Sequence, residues 1–140
     1  MDRETLEQLI PHQGDMCFLS EVKAWDSTSI VCAAHAPTPA HPLARNGRVA
    51  SIIAVEYAAQ ATAVHGSLLT NQRQPREGVL AKLVDISLEV SELPSAPLMV
   101  QAEMLSRSSK GCLYRFDINA ADQRVVSGRL MIAFPVRESL

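Results

Sequence analysis

Residues 49–69, VASIIAVEYAAQATAVHGSLL, decide how this chain is built. Their alanine density makes them strongly helix-forming. Apolar side chains occupy nearly the whole helical wheel, which predicts a buried helix rather than a one-faced surface helix. About 19 residues of it would span roughly 28 Å. A membrane span is not expected: it needs about 20 apolar residues and does not welcome a carboxylate at its centre, where Glu56 stands.

The flanking sequence must supply what buries such a helix. On its N-terminal side, residues 36–48 (APTPAHPLARNGR) form a long loop with three prolines, a length that in a small domain is often functional. Before the loop, residues 16–25 and 28–35 read as two strands joined by a turn at Asp26-Ser27, a hairpin. Residues 3–10 read as a short amphipathic helix that ends at Pro11. After a polar loop at 70–77, residues 78–90, 98–105, 112–119 and 124–134 read as strands. In the first of these, Val84, Ile86, Leu88 and Val90 alternate with Asp85, Ser87 and Glu89. In the third, Tyr114, Phe116 and Ile118 alternate with Leu113, Arg115 and Asp117. The order is a short helix, two strands, one long helix and four strands. This predicts an α+β hotdog fold, with a curved antiparallel sheet wrapped around one central helix. Such a sheet covers the helix on one side only, and the uncovered faces and edges favour a dimer.

Composition narrows the class. The chain has 140 residues and 47% hydrophobic residues, enough for one domain, residues 1–140, with a real core. Its net charge of −2 and 4% aromatic content argue against nucleic acid as a partner. Cys17, Cys32 and Cys112 form no CxxC pair, so neither a metal site nor a redox motif is expected, and buried small hydrophobes are the simpler reading. The opening MDRETLEQLI is charged and carries no apolar signal region, so a cytoplasmic location is expected. Nucleotide-binding, zinc-protease and α/β-hydrolase motifs are missing.

Two blocks carry a family resemblance. Leu9-Ile10-Pro11-His12, followed by Met16 to Val22 (MCFLSEV), resembles the opening LPH…FLLVDRV pattern of 3-hydroxyacyl-acyl-carrier-protein dehydratases. Val55 to Gln60 (VEYAAQ) resembles that family's central-helix IEAMAQ. The wording EYAAQ and VHG is similar to the divergent branch of hotdog dehydratases from aryl-polyene-type gene clusters. The resemblance implies a catalytic pair, a loop histidine and a helical carboxylate. Glu56 falls on the carboxylate position and Gln60 on the glutamine that follows it. The family places its histidine fourteen residues before the carboxylate, in HFPGxPxxPG. Here His41, in His41-Pro42-Leu43-Ala44, lies fifteen residues before Glu56, and Ala50-Ser51 stand where the family has its second Pro-Gly. His35, at the end of a strand leading into the same loop, competes for the role.

The implied reaction removes an α-proton from a 3-hydroxyacyl thioester and expels the β-hydroxyl, leaving a trans-2-enoyl thioester. A near-neutral histidine, His41 or His35, suits the base. A carboxyl kept protonated by apolar surroundings suits the acid, and Glu56 stands among Ile53, Val55 and Ala59. Free N–H groups where the helix begins, at Val49, Ala50 and Ser51, would bind the thioester oxygen. Gln60 would orient Glu56 or the loop. His65, nine residues on, lies about 180° from Glu56 on the wheel and could join it only across a dimer. His12 is expected to pack around the first turn. The resemblance further implies an acyl carrier protein or coenzyme A thioester as substrate, with no cofactor. Arg45, Arg48, Arg73, Arg76 and Lys82 would form a rim for an acidic carrier. Two alternatives stay open: an acyl-thioester hydrolase on the same fold, and a non-catalytic subunit of a heterodimer with another hotdog protein.

Overall fold

The computed structural model describes residues 1–9, 14–70 and 79–134. Helix α1 (Arg3–Glu7) starts at Asp2, whose carboxylate accepts the Thr5 N–H at 2.9 Å, satisfying one of the donors that a helix start leaves open. Strands β1 (Glu21–Trp25) and β2 (Ser29–Ala34) form the expected hairpin. Asp26 closes it by accepting the N–H groups of Thr28 and Ser29 at 2.9 and 2.8 Å. Strand β1 begins at residue 21 rather than 16 because Gln60 occupies the backbone groups of Met16 and Phe18 in place of a neighbouring strand.

Helix α2 (Ala54–Thr70) follows a 3-10 turn at Ser51–Ile53. It starts later than the sequence pattern places it, because residues 49–51 pair with residues 91–93. The Leu93 N–H bonds to the Val49 carbonyl at 2.8 Å and the Ser51 N–H to the Ser91 carbonyl at 3.0 Å. Strands β3 (Val79–Leu88), β4 (Leu98–Ser108), β5 (Gly111–Ala120) and β6 (Gln123–Ala133) complete one antiparallel sheet, ordered β1-β2-β4-β5-β6-β3. The expected helix-and-sheet wrap is present.

The inner sheet face is read off β5, where Tyr114, Phe116 and Ile118 are buried and Arg115 is exposed, in the alternation expected. Ala54, Ala58, Ala61 and Val64 of α2 are fully buried against this face, and α2 packs mainly on β4, β2 and β5. The alanines let the helix lie close to the sheet while Ile30, Val100, Phe116 and Ile118 fill the space between. Strands β6 and β3 carry the sheet past the helix. There the alternation read for β3 is only partly realised. Val84 and Ile86 are half-buried, but Leu80, Leu83 and Leu88 keep 37%, 39% and 47% of their surface exposed. An irregularity between Val84 and Ser87, with Asp85 at a φ of 53°, breaks the period.

Candidate active site

Glu56 stands in the first turn of α2 and is half-buried. It lines two cavities. One is a channel of about 150 Å³ between the helix flank and the overhanging sheet. Its helical wall includes Glu56, Ala59, Thr62, Ala63, Gly66 and Ser67, and its sheet wall includes Leu80, Met104, Arg107, Tyr114 and Ile132. The other cavity opens at the start of the helix among Met16, Leu43, Ile52, Val55 and Leu83. Glu56 is thus the residue that the two cavities share. The apolar surroundings expected for it are present, although they do not enclose it.

Gln60 is buried beside this point, and both ends of its amide are committed. Its Oε1 accepts the Phe18 N–H at 2.9 Å, and its Nε2 donates to the Met16 carbonyl at 2.8 Å. It therefore clamps the segment before β1 to the helix, a supporting task close to the one expected. Phe18, so held, lies 4.6 Å from the His41 ring and 4.9 Å from the Tyr57 ring, centroid to centroid.

His41 sits within this ring cluster. The Leu43 N–H donates to its Nδ1 at 3.0 Å, which leaves the ring proton on Nε2, 3.1 Å from the Tyr57 hydroxyl. Burial lowers the His41 pKa and favours the neutral ring. Both nitrogens have partners within the chain, and His41 is not among the residues lining either cavity at Glu56. His35 is exposed just past β2, where its charge acts on Glu21. Neither expected base is therefore among the residues that line the two cavities at Glu56.

His65 is 0% exposed. Its Nε2 donates to the Asp26 carbonyl at 2.8 Å, and its Nδ1 accepts from the Tyr114 hydroxyl at 2.6 Å. It ties the helix to the β1–β2 turn and to β5, and no ring nitrogen remains to reach across a dimer. The expected donors at Val49, Ala50 and Ser51 also need correction. Ser51 is buried and its N–H is already bonded to the Ser91 carbonyl, while Val49 is buried. Ala50 is exposed and lies opposite Glu92. Pairing with residues 91–93 thus takes the Ser51 N–H, one of the three donors expected to face a thioester.

Sequence reasoning missed Tyr57 and Tyr114. A phenol in an otherwise apolar setting needs a polar partner, and the chain's two tyrosines each meet a histidine. Burial pushes the Tyr57 hydroxyl up to about 12 and also raises that of Tyr114. The three cysteines are buried, as expected, with the Cys32 thiol pushed up to about 12 by burial. Of the basic rim, Arg45 and Lys82 are exposed and Arg48 pairs with Glu92 at 3.4 Å. Arg73, Arg76 and His12 lie outside the described residues. Among those residues, no helix is long and apolar enough to cross a membrane.

Several solved structures share this wrap. The dehydratase heterocomplex ApeI:P from Xenorhabdus doucetiae is 19% identical, with a TM-score of 0.82 over 95% of this chain and 92% of that one. A mutant thioesterase from Pseudomonas aeruginosa is 17% identical, with a TM-score of 0.69 over 95% and 93%. A hypothetical thioesterase with coenzyme A from Streptococcus pneumoniae is 13% identical, with a TM-score of 0.64 over 85% and 88%. At these identities the likeness shows the hotdog fold alone. No curated protein matches the chain significantly. The family comparison goes further than the fold, and makes this a dehydratase-like hotdog protein. Residues 4–139 match the model of the ApeP-like family, described as ApeP dehydratase, and the chain belongs to that family.

Proposed function

We propose that this chain acts in dehydration of a 3-hydroxyacyl thioester, with Glu56 as the acid. A base removes the α-proton, the β C–O bond breaks, and Glu56 protonates the departing oxygen so that water leaves and a trans-2-enoyl thioester remains. The observation that carries this reading is the place of Glu56 where a largely apolar channel meets an open cavity. The channel would take the acyl chain, and the open side would admit the thioester on an acyl carrier protein or coenzyme A. Arg45 and Lys82 are exposed and could meet an acidic carrier, and Arg107, also exposed, lines the channel itself. The setting is fatty-acid or aryl-polyene-type synthesis in the cytoplasm.

His41 and His35 remain this chain's own candidates for the base. The engaged nitrogens of His41, and a cavity lining that includes neither His41 nor His35, favour a variant of the reading. In it, a second hotdog chain seats over the open cavity and supplies the base. That the Xenorhabdus relative was solved as a dehydratase heterocomplex supports a hotdog partner, with a homodimer as the simpler case.

The test is hydration of a trans-2-enoyl pantetheine thioester, followed by loss of enoyl absorbance and by free thiol. It is run with the chain alone and with a second hotdog chain encoded beside it. Glu56→Gln should lower hydration by roughly 10²–10⁴-fold, the usual contribution of a positioned acid. Activity only in the mixed sample would place the base on the partner. Hydration that survives Glu56→Gln would overturn the assignment, and thiol release would move the reading to a hydrolase.

A further inference from the structure

Gly66 faces the channel from the C-terminal third of α2, where nothing in the backbone requires a glycine. A glycine inside a helix is unfavourable relative to alanine. Two structural reasons normally justify one, a positive φ or a neighbour too close for a Cβ. Gly66 has neither: it is not among the positive-φ glycines, and a Cβ built there meets nothing within 4 Å. Yet it is half-buried rather than exposed. The empty space beside it is the channel that Glu56 also lines.

We infer that Gly66 sets the length of acyl chain this protein accepts, leaving a passage for the tail of a linear medium-chain thioester. The inference rests on the proposed function, because it takes the reacting carbons to lie at Glu56. Ten residues of helix separate Glu56 from Gly66, about 15 Å at the α-helical rise. At roughly 1.3 Å of advance per C–C bond of about 1.5 Å, a chain with its first carbons at Glu56 passes Gly66 at around the twelfth carbon. Ala59 and Ala63 keep the same wall low on the way. Met104 and Ile132 form the facing wall on the sheet side. A larger side chain at residue 66 would project into this space and stop the tail.

The experiment measures calorimetric binding of saturated butanoyl, octanoyl and dodecanoyl pantetheine thioesters to the wild type, Gly66→Ala and Gly66→Leu. These compounds cannot undergo dehydration, so the readout is independent of turnover. The expected result is dodecanoyl binding at least tenfold tighter than butanoyl in the wild type. That ratio should fall at least tenfold in Gly66→Leu and by a smaller factor in Gly66→Ala. The alanine variant keeps the test open should the leucine variant not fold. A length ratio unchanged by either folded variant overturns the inference, as does a wild type that binds all lengths equally. Failure of the proposed function would instead be seen in the hydration assay with a butenoyl thioester, which needs no space at Gly66.

Discussion

At the scale of single residues, the chain places its histidines unlike the scheme that their sequence positions suggest. His65 looked like a spare group on the far side of the helix from Glu56, and it proves to be a buried strut between the Asp26 carbonyl and Tyr114. Its pKa is lowered, first by burial and then by the charge of Arg107, while the bond to the Asp26 carbonyl and the Asp26 charge oppose the shift. The unfolded chain takes up this proton near pH 6.5, whereas the folded chain resists it until lower pH. The unfolded state then holds more protons, and stability falls as pH drops below about 6.5. His41, lowered by burial as well, adds to the same slope. Urea unfolding midpoints measured from pH 8 to pH 5 should decline, with a shallower decline in His65→Gln. A variant with the wild-type slope would remove His65 from the account. The carboxylate was legible in the sequence because a lone acid in an apolar helix stands out. The tyrosine partners of the histidines were not, because those bonds span long stretches of chain: 16 residues from His41 to Tyr57 and 49 from His65 to Tyr114.

At the scale of elements, the central helix, the hairpin and the alternation of β5 were all legible, since each is a local pattern of period 3.6 or 2. What escaped was decided by contacts between elements. The helix loses its first residues to pairing with 91–93, and β1 loses its first residues to the Gln60 amide. Strand β3 loses its alternation where it passes β6. The two glycines Gly66 and Gly128 show how differently the same residue can be used. At Gly128 a Cβ would lie 2.5 Å from Ile86 Cδ1 and 3.1 Å from its Cα, so the irregular stretch of β3 sits directly on that backbone. Gly128→Ala should therefore cost about 1–3 kcal/mol by overpacking. Gly66→Ala should stabilise by up to about 1 kcal/mol, because only helix propensity changes. Chemical denaturation of the two variants side by side should give shifts of opposite sign. Two destabilised variants would mean that the space at Gly66 is not open.

At the scale of the whole molecule, the two edges of the sheet are unlike. The β1 edge is short, shifts register between Val22 and Ala24, and presents Lys23, features that discourage another strand from pairing with it. The β3 edge is ten residues long and carries the exposed Leu80, Leu83 and Leu88. Ile52 at 44% and Met16 at 38% exposure extend apolar surface around the open cavity, which Met16, Ile52, Leu83 and Glu56 line together. Apolar surface gathered around a half-buried carboxylate is what a site completed by a second chain would leave uncovered. If the proposed interface runs along this edge, Leu83→Arg would set a charge into it without disturbing the core, since Leu83 is already exposed. Sedimentation should show the wild type associated, with itself or with a second hotdog chain, and Leu83→Arg as a monomer with an unchanged unfolding midpoint. Hydration activity should be lost with the association and regained in part at high protein concentration, where mass action restores the complex. A monomeric variant that keeps full activity would mean that one chain holds the complete site, and the base would then have to be sought among its own histidines. A variant that stays associated would move the interface away from β3.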